Sequence, residues 1–221
     1  MSPMDSKTVD KALRAHFWPA LAEIGFDRRT GRTAWRDRPH CVQTVNIQSF
    51  NRYLADGLAC TPFSFAMNLG VYYVVVDDAS LFGPLAKDPS RPAEHHCQAR
   101  FHMAKGFAQP DPEPERPPIP APDPRLEPGA WRDRPDVWYV RTDGANLDEV
   151  VRDARDRVLA VGVPWLERLA DVAVARQHFA EVSSTNHAPG IVAEGYEGAL
   201  GSPARDRAID ALDELLARLR A

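Results

Sequence analysis

The chain has little lysine, few cysteines and no long apolar run. Of its 27 basic residues only 4 are Lys, a skew that, beside abundant Ala and Pro, reflects GC-rich coding rather than function. Bases and 31 acids are interspersed to a formal charge of -4. No single-sign field therefore draws the chain toward phosphate backbones, and no nucleic-acid partner is expected. The 3 cysteines, at positions 41, 60 and 97, are an odd number without a Cys-x-x-Cys pair, so reduced thiols in a cytosol are the simple reading. No stretch reaches the roughly 18 apolar residues of a membrane span, and MSPMDSKTVDKALRAHF has no apolar core of a secretory leader, so a cytoplasmic chain with no membrane partner is expected. Also missing are a Gly-x-Ser-x-Gly elbow, a phosphate loop ending in Gly-Lys-Ser/Thr and a His-Glu-x-x-His pair. Their absence argues against the common hydrolases and NTPases, and no catalytic residue or cofactor is assigned.

What is present is a globular core: 44% of the 221 residues are apolar, enough for one large domain or two small ones. Two strand-like runs, CVQTVNIQSFN and PFSFAMNLGVYYVVV, carry amides at regular intervals, although Asn and Gln are depleted in strands. A period of two puts Phe63, Phe65, Met67, Leu69, Val71, Tyr73 and Val75 on one face, with Ser64, Asn68 and Tyr72 on the other. It likewise separates Gln43, Val45 and Ile47 from Thr44, Asn46 and Gln48. The sheet so described has one greasy face and one amide-lined face.

Around it, Asp5 or Ser6 caps a helix with Val9, Leu13, Phe17, Leu21 and Ile24 inward, ending at Gly25. A short strand at 33–36 and a turn at 37–40 lead into the first amide run, and 51–61 is expected as loop. HHCQARFHMA reads as a further strand, with Cys97, Ala99, Phe101 and Met103 opposite His96, Gln98, Arg100 and His102. Nine of the 20 prolines lie between positions 110 and 128, a composition that cannot pack a core and reads as a linker or surface loop. VWYVRT offers another strand. Asn146 then caps a helix through Ala160 that Gly162 and Pro164 end, a helical hairpin follows, and 183–201 reads as loop. Ser202 and Pro203 open a last helix striped by Ile209, Leu212, Leu216 and Leu219.

The order of a helix ending in GF, then VNIQSF, FAMNLGV, CQARFHM, VWYV and a helix ending in VGVPWLERL resembles an uncharacterised bacterial family, domain-of-unknown-function family forty-three-oh-four. The likeness spans residues 9–169, and Asn46, Gln48, Asn68, Leu69 and Gly70 carry its most specific pieces. The proline insert and the part after Asp171 depart from it. The resemblance implies the fold, assigns no activity, and leans toward accessory or immunity-type proteins.

Three motifs yield to plainer readings. Gly195, Gly198 and Gly201 lack the preceding strand and Lys of a phosphate loop. His95, His96, Cys97 and His102 cannot converge on one metal ion from an extended strand, so no metal site is expected. The Arg-Pro-Pro-Ile-Pro run at 116–120 is read as spacer rather than as a ligand for an aromatic groove.

The expectation is thus an α+β fold, an antiparallel sheet of four or five strands packed against an N-terminal helix and C-terminal helices. It forms one domain over 1–221 with a proline-rich surface insert at about 108–130. The leading function is a non-enzymatic factor binding a protein partner. The alternative is an enzyme or small-ligand sensor whose pocket is the polar face, with Asn46, Gln48, Asn68, Tyr72, Arg100 and His102 as ligand-binding residues and Arg100 recognising a polar or anionic group. A monomer, or a dimer through the last helix, is expected.

Overall fold

Alternation and turns together decide the sheet. The computed structural model describes residues 4–58, 60–76, 86–106, 135–181, 195–198 and 202–221, the 195–198 stretch as backbone only. Strands β1 (Arg28–Thr30), β2 (Thr33–Arg38), β3 (Cys41–Ser49), β4 (Phe65–Tyr73) and β5 (Ala99–Met103) pair antiparallel, each with the next in the chain. A sixth, β6 (Gly195–Gly198), adds to β5 from a stretch expected as loop. Its pairing needs backbone N–H and C=O groups and no side-chain pattern, so no apolar alternation announced it. This is an α+β fold with an antiparallel sheet.

One face of the sheet meets helices. Phe65, Met67, Leu69, Val71 and Tyr73 join Val45, Ile47, Phe101 and Met103 in a single core with helices from both ends of the chain. Helix α1 (Ser6–His16) opens on Asp5, whose carboxylate accepts from Thr8 N at 2.7 Å. The single long helix expected there is broken. Pro19 cannot donate to the carbonyl four residues back, so the chain bends at Phe17 and restarts as α2 (Trp18–Glu23). Gly25, at φ +92°, makes the left-handed exit.

The later helices correct the expectation in the opposite sense. Helix α4 (Leu147–Arg157) does not end at Gly162. It widens into a π turn (Val158–Gly162) and runs directly into α5 (Val163–Ala170). Val163 N reaches back five residues to Val158 O, and this wider turn absorbs Pro164 in the first turn of α5. Gly162 lies where an added Cβ would sit 2.6 Å from Leu69 Cδ1, so the helix rests directly on β4. Asn146 makes no cap bond; its amide donates to Tyr139 O and accepts from Arg141 N.

Helices α6 (Val172–Glu181) and α7 (Ser202–Arg220) close the core through Phe179, Ala208, Leu212 and Leu215. The stripe on α7 is displaced from the expected one, for Leu219 is 54% exposed. The expected loop at 51–61 holds a short helix, α3 (Arg52–Gly57), capped by Asn51 Oδ1 on Leu54 N. VWYV is extended but not a ladder strand: Trp138 makes an isolated bridge with Phe65. It still alternates, Trp138 and Val140 entering the main core while Val137 and Tyr139 pack with Phe50, Ala55 and Cys60. Trp131, the 116–120 run and the whole proline-rich stretch at 108–130 lie outside the described residues.

Candidate functional site

Register brings the polar side chains together in rows. Thr33 faces Asn46, Asn46 faces Asn68, and Asn68 faces His102, so four strands contribute to one line across the sheet. The next row holds Trp35, Thr44, Gly70 and Arg100. The amide-lined face is real, but it divides into a covered half and an open half.

The covered half is roofed by the segment leading into β5. A 3-10 turn (Glu94–His96) breaks the extended strand expected from His95 onward. Cys97 therefore joins Trp35, Val42, Tyr72 and Ala86 on the polar side of the sheet instead of the main core. Pro92 O accepts from Trp35 Nε1 at 2.8 Å, and Gly70 admits the turn because a Cβ there would lie 2.5 Å from Cys97 Sγ. Arg100, 7% exposed, lies under this roof with Nη1 3.8 Å from Glu94 Oε1. Burial pushes the Glu94 carboxyl above its ordinary range against the pull of Arg100, and burial likewise raises the Cys97 thiol. Tyr72 is 3% exposed in the same cluster. Arg100 and Tyr72 are thus packed beneath the turn and do not line the pocket.

The open half is concave. A cavity of about 170 Å³ is lined on its polar side by Gln48, Asn68, His102 and Asp136, and on its apolar side by Phe50, Leu58, Ala66 and Val137. Three of the polar residues form a chain. Asn68 Nδ2 donates to Gln48 Oε1 at 2.9 Å, which turns Asn68 Oδ1 toward His102 Nδ1 at 2.7 Å. A carbonyl oxygen only accepts, so in this arrangement the proton of neutral His102 resides on Nδ1. Burial first, then the neighbouring Arg100, pushes the imidazole down to about 4 against the opposing charge of Asp136. His102 is neutral at pH 7, and the Asp136 carboxylate is the one formal charge among the described lining residues.

Asn46 does not line this cavity; its amide donates to Thr33 Oγ1 at 2.9 Å. Ser64 leaves the face altogether, its hydroxyl accepting from Val140 N at 3.0 Å where VWYV crosses. Asp136, Phe50, Leu58 and Val137 were not anticipated. Leu58 and Asp136 come from connections, while Phe50 ends VNIQSF and Val137 opens VWYV, so the one signal for these four was their place in or next to those two runs. Among the described residues no three His, Cys, Asp or Glu side chains are grouped to hold a metal ion, and no helix is long and apolar enough to cross a membrane.

Sheet, helical cover and half-roofed polar face define an α+β protein with a small mixed pocket on the uncovered half of its sheet. The chain belongs to the family described as Domain of unknown function (DUF4304), whose model matches residues 17–168. The match takes in β1 to β5, helices α2 to α4 and most of α5, and leaves out α1, α6, β6 and α7. Comparison with curated proteins and with solved structures gave no match.

Proposed function

We propose that the protein binds a small, neutral polar molecule in the cavity between Gln48, Asn68, His102 and Val137. The observation that carries this reading is the concave site itself, where a chain of hydrogen-bonding groups faces an apolar wall. Its size suits a fragment-sized ligand, and a planar amide or small heterocycle matches both walls. No described cation lines it, and a phosphate or carboxylate would sit beside Asp136, so an anion is disfavoured. Arg100, the group that would have favoured an anion, faces Glu94. Among the described lining residues no nucleophile is aligned with a base, and binding rather than turnover is the function proposed.

The test is a panel of small amides, heterocycles and anions followed by protein amide chemical shifts. Neutral amides and heterocycles should move Asn68, His102 and Val137 while phosphate and acetate do not. Asn68→Ala should weaken the best binder about tenfold, the worth of roughly one good hydrogen bond. Silence at these three residues across the whole panel would end the proposal.

A second reading, attachment to a protein partner as an accessory factor, is favoured by α3, where Tyr53 is 85% and Leu54 41% exposed. Tyr53→Ser with Leu54→Ser should abolish a specific interactor without disturbing ligand shifts in the cavity.

A further inference from the structure

Three of the four side chains on the polar wall, Gln48, Asn68 and His102, share a property that none has alone. An amide has nearly the same outline when its O and N exchange places, and an imidazole can carry its proton on either nitrogen. In the arrangement seen, Gln48 Oε1 accepts from Asn68 Nδ2, and Asn68 Oδ1 accepts from His102 Nδ1. Gln48 then turns its NH2 group away from Asn68. Reversed, Gln48 Nε2 donates to Asn68 Oδ1, Asn68 Nδ2 donates to His102 Nδ1, and the imidazole proton moves to Nε2. A mixed arrangement sets two donors or two acceptors against each other within a site where water is partly excluded, which is costly. The chain therefore has two satisfied states that differ in polarity from end to end.

We infer that Asn68 is a positioning residue that couples the hydrogen-bond polarity of Gln48 to the tautomer of His102, so that the pocket adapts as a unit to the polarity of its ligand. This rests on the reading that the cavity binds a small polar molecule and specifies how. Gln48 is the exposed end of the chain and His102 the more buried end, with Asn68 2% exposed between them. A carbonyl-bearing ligand that accepts from Gln48 Nε2 holds the observed polarity and keeps the imidazole proton on Nδ1. A ligand that donates to Gln48 Oε1 favours the reverse and transfers it to Nε2. Recognition at the mouth thereby sets which nitrogen of His102 is basic. Asn46 does not relay, because its amide is committed to Thr33 on the far side of the row.

The experiment reads the ring directly, by nitrogen-15 NMR of His102 at pH 7 in the full chain. Glu in place of Gln48 can only accept, and Gln48→Glu should leave the proton on Nδ1. Lys can only donate, and Gln48→Lys should move it to Nε2. Gln48 is exposed, so both variants should fold as the unsubstituted chain does. Repeating the pair in an Asn68→Leu background should erase the difference, which separates the relay from any direct effect of the new charge. One tautomer shared by the Gln48→Glu and Gln48→Lys proteins would overturn the inference, as would a difference that survives Asn68→Leu. None of these measurements requires ligand, so a failed panel would sink the binding proposal and leave the relay to stand or fall on its own.

Discussion

At the residue scale, the polar groups inside the sheet are held by geometry that a single substitution can test. Gln43 lies on the apolar face and is fully buried, yet Oε1 accepts from Arg36 Nε at 2.7 Å and Nε2 donates to Leu166 O at 2.6 Å. Arg36 is completed by Ile24 O, by Glu167 at 2.9 Å and by the Phe26 ring 4.6 Å away. Gln43→Ala should leave the buried Arg36 Nε–H without its acceptor and take one donor from Leu166 O, at a cost of about 1–3 kcal/mol, measurable by urea unfolding. His102 gives a pH signature. Its ordinary value of 6.5 falls to about 4 in the fold, so between these values the unfolded chain binds the proton and the folded chain does not. Stability is full above pH 6.5 and falls as pH drops toward 4, by at most on the order of 3 kcal/mol. Glu94, raised by burial, acts in the opposite sense, holding its proton more readily in the folded state. Unfolding followed from pH 7 to pH 4 should show a shallower decline in His102→Gln than in the parent protein; equal slopes would remove His102 from this role.

At the element scale, contacts made through glycine decide how the roof over β4 is set. Gly70 is the position where the 3-10 turn and Cys97 come down onto the strand, with Cys97 Cβ 2.7 Å from where a methyl group would stand. That Cβ is fixed to the backbone and cannot rotate aside, so Gly70→Ala must displace the turn. The expected outcome is a loss of about 1–3 kcal/mol together with faster reaction of Cys97 with a thiol reagent, since its sulfur is fully buried now. The same residues show how legible the sequence was. Alternation along β4 and β5 was readable from the chain, and with it the amide face. That Arg100 and Tyr72 would be roofed while Asn68 and His102 stay open was not, because it depends on a turn of three residues that interrupts the period of two at Cys97.

At the scale of the whole molecule, the core runs without a break from Val9 on α1 to Leu215 on α7. We propose that the chain unfolds as one domain, with a single transition by circular dichroism and by tryptophan fluorescence. The stems of the proline-rich stretch meet, since Lys105 N donates to Pro135 O at 2.7 Å. Loop-closure entropy grows slowly with length, so replacing residues 107–134 with a short Gly-Ser connection should leave the melting temperature within a few degrees. A large drop, or loss of the single transition, would show that the stretch belongs to the fold. Asp136 follows directly on this stem and lines the pocket, and ligand-dependent shifts at Asn68 measured in the shortened chain would show whether the cavity needs the insert.

Apolar period and turn chemistry by themselves determined the antiparallel sheet, its two unlike faces, the helices that cover one of them, and the face on which Asn46, Asn68 and His102 lie. These are local properties, carried by neighbours two to four positions apart. Tertiary structure alone decided where the polar face is roofed, that Gln43 would be buried against Arg36 and Leu166, and that Phe50, Leu58, Asp136 and Val137 would wall a cavity. Those outcomes depend on segments far apart in the chain meeting at one place, and no spacing within a single run encodes such a meeting.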